Sequence, residues 1–175
     1  MATRKPTTTK KPSKAKESMP YRPSAIYKAP QKISKDQLPG QFSRADIEFI
    51  GIDHAGPSYE ARVYLNNPKA DAETQPTLEN GYAGSYHIFG HGGCFGDEGH
   101  CEIKRPYDPF DPRPSHPLEP IRKVVIATEA VKQALASSSE IHITVVPLVR
   151  GWTEATEKDT GNVMSFDHIN LVCYD

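Results

Sequence analysis

A chain of 175 residues has room for one ordinary domain and a tail, and no run in it approaches 18 consecutive apolar residues, which excludes a membrane-spanning helix. Three cysteines, Cys94, Cys101 and Cys173, cannot all pair within one chain, which argues against a framework held by disulfides, although Cys94 and Cys101 could bridge in an oxidising compartment. The formal net charge of -1 conceals a division: the first 40 residues hold eight Lys and two Arg against one Glu and one Asp, a net of +8, and leave -9 for the remainder.

Residues 1–41 supply Lys, Pro, Ser and Thr, with few apolar residues and no sustained period. Such a segment cannot bury enough surface to offset its ordering entropy, so a disordered basic arm is expected there and a folded domain over 42–175. The arm suits an anionic surface or nucleic acid, contacted without sequence specificity, or serves only as a solubilising leader. Tyr21 and Tyr27 lie among its basic residues but form no RNA-binding motif. No apolar leader opens the sequence, which gives a cytoplasmic expectation, with export in the company of a partner as the alternative.

Order is expected to begin near Phe42. In RADIEFIGID, Ile47 and Phe49 fall on one side and Asp46 and Glu48 on the other, the period of a half-buried strand. The Gly56–Pro57 turn leads to YEARVYL, in which Tyr59, Ala61, Val63 and Leu65 share a face, so the two runs are expected to form a hairpin or neighbouring strands. A long polar connection follows, and AGSYHIF is the next strand. It runs into GHGGCFGDEGHC, whose glycines permit unusual backbone angles. Six prolines in residues 102–120 rule out a helix there.

IRKVVIAT is a further strand, and Thr128 before EAVKQALA has the cap and apolar spacing of a short helix, packed by Val131 and Leu135. IHITVVPLV is β-branched and strand-like, with Ile141, Ile143 and Val145 facing one way, and VMSFDHINLVCY closes the chain. These elements predict an all-β fold: an antiparallel, jelly-roll-like β-sandwich with one short helix behind a disordered arm. A βαβ repeat needs more helices than the one available.

The densest chemical cluster is His87, His91, Cys94, Asp97, Glu98, His100 and Cys101. Imidazole nitrogen and thiolate sulfur can complete a zinc or copper site, and His91, Cys94, His100 and Cys101 are the candidate ligands. The spacing is weaker than the composition: Cys94 and Cys101 make no Cys-x-x-Cys pair. His87 and His91, if on one strand, would stand about 13 Å apart. A structural Gly-rich loop with locally bonded histidines is the plainer expectation. His54 is expected to be a turn or surface residue, and no nucleophile elbow, Walker A loop, dinucleotide fingerprint or HExxH helix occurs, so no catalytic residue is assigned.

Three runs, FIGIDHAGPSYEARVYLNNP, YAGSYHIFGHGG and IRKVVIATEAVKQALASSSEIHITVVPLV, occur in an order that composition alone does not supply. Together, from Ile47 to Val149, they resemble the C-terminal β-sandwich region of type-3 copper proteins: tyrosinases, polyphenol oxidases and molluscan haemocyanins. Tyr82–Gly93 is the most specific stretch. The resemblance implies structural roles for Tyr82, Gly84, Phe89 and Gly90, and a domain that packs against a helical dicopper domain and shields its entrance. The helical domain and its histidine-held coppers are missing from this sequence, so phenol oxidation does not carry over. The expectation is therefore a non-catalytic accessory domain contacting a tyrosinase-like or other protein partner, with Tyr86, Phe89, Phe95, Tyr107 and Phe110 as candidate contacts. A copper- or zinc-binding protein using the loop over 87–101 is the alternative.

Overall fold

The computed structural model describes residues 22–23, 26–29, 32–91, 118–149 and 163–175. In chain order the described strands and helix are β1 (Arg22–Pro23), β2 (Tyr27–Lys28), β3 (Ile33–Ser34), β4 (Arg44–Ile52), β5 (Tyr59–Leu65), β6 (Tyr82–Ile88), β7 (Ile121–Ile126), α1 (Thr128–Ser137), β8 (Glu140–Ile141), β9 (Ile143–Val149) and β10 (His168–Tyr174). All the pairings are antiparallel. A five-stranded sheet contains β9, β5 and β6, with β1 and β2 both paired to β9, and a three-stranded sheet runs β10-β4-β7. A short β3-β8 pair makes a third sheet. Among the described residues no sheet closes into a barrel, and the fold is the expected antiparallel β-sandwich with one α-helix.

Both large sheets turn their apolar alternation inward. Ala45, Ile47 and Phe49 of β4 meet Tyr59, Ala61 and Val63 of β5, Tyr86 and Ile88 of β6, and Ile143 and Val145 of β9 in one buried cluster. Here β5 behaves as its period predicts, because every second residue shares a face. Helix α1 seals the sandwich with Ala130, Val131 and Ala134. Thr128, expected as its cap, is instead its first residue, with Ala127 in the capping position. The Thr128 hydroxyl accepts from the Ala45 amide at 3.1 Å, which ties the helix start to β4 rather than to its own first turn.

Strand pairing starts ahead of Phe42. Tyr27 lies opposite Val145 and Ile33 opposite Ile141, and both pack against the main core. Tyr27 sets its ring edge-on to Phe166 with centroids 4.7 Å apart. The expectation that β4 and β5 form a hairpin or neighbouring strands is not met, because they belong to different sheets. The Gly56–Pro57 turn carries the chain from one sheet to the other, since β4 pairs with β7 and β10 while β5 pairs with β6 and β9.

Strand β6 contains a register irregularity: Val63 lies opposite Gly84 but Tyr64 lies opposite Tyr82. Gly84 there has φ of +138°, and a Cβ on it would stand 2.6 Å from Val125 Cγ1 of β7. A glycine at this point lets the two sheets approach closely where β6 crosses β7.

Candidate functional site

Two regions concentrate chemistry among the described residues: the end of the sandwich where β4 and β6 run out, and the outer face of the three-stranded sheet.

At the first, the chain leaves β4 through Asp53, whose carboxylate accepts from the Ala55 amide at 2.8 Å and tightens the turn. His54 is swung inward and is only 8% exposed. Its Nε2 lies 2.9 Å from the Glu119 carbonyl oxygen. A carbonyl only accepts, so Nε2 carries the proton and Nδ1 is left with a lone pair in the neutral ring. The turn also holds the end of β6: the Gly90 amide donates to Ser58 Oγ at 3.0 Å, and the His91 amide donates to the His54 carbonyl at 3.0 Å. Gly90 sits so tightly that a Cβ would stand 2.0 Å from the Gly56 carbonyl oxygen. These contacts bring the exposed His91 ring to a centroid distance of 5.4 Å from His54, at 68° between planes.

His54 is therefore a residue of the turn, as expected, but a buried and hydrogen-bonded one and not a surface one. Its acceptor lies 65 positions along the chain, and no local pattern in the sequence announces it. His91 is brought beside His54. Its other candidate companions, Cys94, His100 and Cys101, lie outside the described residues, as do Phe95, Tyr107 and Phe110. His87 is exposed on β6, opposite Glu60. Among the described residues no group of three or more His, Cys, Asp or Glu side chains gathers closely enough to hold a metal ion.

Two of the candidate partner contacts are described, and they differ. Tyr86 is a core residue: its ring lies 4.6 Å from that of Phe49 and its hydroxyl is 3.6 Å from Met164 Sδ. The pleat of β6 turns Tyr86 inward with Ile88, so it offers no ring to a partner. Burial pushes the Tyr86 and Tyr59 phenols well up from their ordinary value. Phe89, just past the strand, is 86% exposed.

On the outer face of the three-stranded sheet, β4 places Arg44, Asp46 and Glu48 between Tyr174 and Val172 of β10 and Val124 and Ile126 of β7. Asp46 and Glu48 were expected on a solvated face, yet they are 2% and 8% exposed. Their strand is the central one, flanked on both sides, and arginines cap them. Arg44 grips Asp46 with Nε and Nη2, each at 2.8 Å, and Arg122 pairs with Glu48. Donating to the Asp46 carboxylate pushes the Arg44 guanidinium further up. That guanidinium also lies 5.7 Å from the Tyr174 ring centroid. Around this charged stripe the apolar side chains are open: Ile126 is 63% exposed, and Val124 and Tyr174 are exposed as well. Cys173, one residue before Tyr174, lies on the opposite side of β10, half-buried against the core, and burial pushes its thiol up.

No protein-family model matches the chain, and no curated protein matches it. Among solved structures it is similar to latent aurone synthase, a polyphenol oxidase, from natural source, at 13% identity and a TM-score of 0.47, over 96% of this chain and 28% of that one. It is also similar to the recombinantly expressed latent enzyme co-crystallised with hexatungstotellurate(VI), at 12% identity and a TM-score of 0.46, over 88% of this chain and 26% of that one. The chain thus spans about a quarter of the length of these solved polyphenol oxidase chains, and the likeness is a weak one of fold.

Proposed function

We propose that the chain is a non-catalytic accessory domain that docks the helical dicopper domain of a tyrosinase-like oxidase through the outer face of its three-stranded sheet. The observation that carries this reading is the cluster of exposed Val124, Ile126 and Tyr174 around the ion-paired stripe of β4. Apolar side chains gathered on a sheet face gain free energy by leaving water, and carboxylates already paired with Arg44 and Arg122 bring no bare charge into an interface. The partner class comes from the sequence resemblance centred on Tyr82–Gly93. The basic arm adds a salt-sensitive attraction to anionic surfaces that does not depend on sequence.

The test mixes the full chain with a separately produced catalytic domain of a polyphenol oxidase and follows both complex formation by sedimentation and the rate of phenol oxidation. The expected result is a one-to-one complex with slowed oxidation, both lost in the Val124→Glu/Ile126→Glu double variant while its melting temperature stays unchanged. A complex that the double variant forms equally well removes the sheet face from the reading. No complex at all removes the partner class.

A further inference from the structure

The imidazole pair at the end of the sandwich has more construction than a turn requires. Turning the chain between sheets needs the Gly56–Pro57 corner and the Asp53 carboxylate bond. It does not need a histidine ring buried with one nitrogen committed to a carbonyl, nor a second ring brought beside it by a backbone bond between the two residues. His54 donates Nε2–H to the Glu119 carbonyl, and His91 is fixed by its own amide on the His54 carbonyl and by Gly90 jammed against Gly56.

We infer that His54 and His91 form a two-imidazole site for a divalent d-block cation, copper(II) or zinc(II), with water completing the coordination. A histidine that binds a metal through one ring nitrogen characteristically donates its other N–H to a carbonyl or carboxylate, which fixes the tautomer and makes the free nitrogen more basic. His54 has that arrangement on its Nε2 side, which leaves Nδ1 as the nitrogen free to bind an ion. With metal–nitrogen bonds of about 2.0–2.1 Å, two imidazoles on one tetrahedral ion have centroids about 5 Å apart. The observed separation is 5.4 Å. The exposed side of His91 supplies the route by which an ion and its waters enter, and two neutral imidazoles favour copper over zinc at equal geometry.

The site lies past the Ile50–His168 end of β4, whereas Ile126 and Tyr174 lie toward the opposite end of that strand, at Asp46 and Arg44. The inference therefore stands apart from partner docking and can fail without it. It also differs from a ligand set built on the loop's thiols.

The experiment titrates the full chain, purified without chelator, with glycine-buffered copper(II) and separately with zinc(II). It is repeated on His91→Ala, on His87→Ala, and on the triple variant Cys94→Ser/His100→Ala/Cys101→Ser. The expected result is one equivalent bound, at least tenfold weaker in His91→Ala and unchanged in His87→Ala and the triple variant. Because His54→Ala removes a buried group and can unfold the end of the domain, His54 is read in the intact chain by ring nitrogen NMR. Substoichiometric copper should broaden the Nδ1 of His54 and the ring of His91 before any other histidine. Undiminished binding in His91→Ala, loss of binding in the triple variant, or an unbroadened His54 overturns the inference.

Discussion

The two sheets treat their outer faces in opposite ways. On the five-stranded sheet, Tyr64 of β5 and Val146 and Leu148 of β9 point away from the main core, yet they are fully buried. The connection between β5 and β6 folds back over them with Ala70 and Ala72, and Ile26 and Tyr82 close the sides. The Tyr64 hydroxyl donates to the Thr74 carbonyl at 2.9 Å, which pins the connection down. On the three-stranded sheet the corresponding face keeps Val124, Ile126 and Tyr174 exposed, and the groups it buries are carboxylates. One outer face is a second small core and the other is a surface with apolar side chains left in water. The difference indicates where an external layer would gain most from docking.

The largest expected effect comes from opening the covered face. Tyr64→Ala removes a fully buried ring together with the hydroxyl that holds the connection, and should cost about 3–5 kcal/mol, measured by denaturant unfolding. A loss below about 1 kcal/mol would mean that the connection is not a true layer and that the two faces are alike. Gly84→Ala tests the join between the sheets. Its Cβ meets Val125 at 2.6 Å and its φ is strained for an L residue, so a loss of about 1–3 kcal/mol is expected in the same measurement.

What the sequence shows of this arrangement depends on range. The inward face of β5 is legible because Tyr59, Ala61, Val63 and Leu65 repeat every second residue. The helix is legible from Val131 and Leu135, four residues or about one turn apart, since Val131 is buried and Leu135 packs against the same core. Pairing by Tyr27 and Ile33 is not legible, because two-residue strands carry no period and sit in a segment whose composition argues for disorder. Alternation assigned Asp46 and Glu48 to an outer face but could not show that Arg44 and Arg122 cover them there. The candidate site is harder still. Nothing near His54 signals a carbonyl 65 residues away, and the aromatic character that made Tyr86 a candidate contact is the same character that fits it to the core.

The charged stripe offers an intermediate test. Arg122→Ala leaves the Glu48 carboxylate almost wholly buried without its partner, while the lost guanidinium was itself more than half exposed and screened by water. About 1 kcal/mol of destabilisation is expected, above the median for an exposed pair and well short of a fully buried one. Added salt should shrink the difference between variant and parent, as measured by unfolding at two ionic strengths. A loss equal to that of Tyr64→Ala would place this face in the same energetic class as the covered one.

The smallest expected effect on stability is also the most informative about use. Ile126→Ser removes an apolar side chain that is 63% exposed on an edge strand, so little buried area is lost and the unfolding free energy should change by less than about 0.5 kcal/mol. If the face serves only as the outside of a folded domain, nothing else changes either, and solubility rises slightly. If the face docks a partner, the same substitution weakens the complex severalfold while the melting curve stays where it was. That separation is unavailable on the five-stranded sheet, where every apolar outer residue in the cluster is also holding the fold together. A destabilisation above about 1 kcal/mol by Ile126→Ser would show that this side chain is already packed within the chain, and the contrast between the two faces would then disappear.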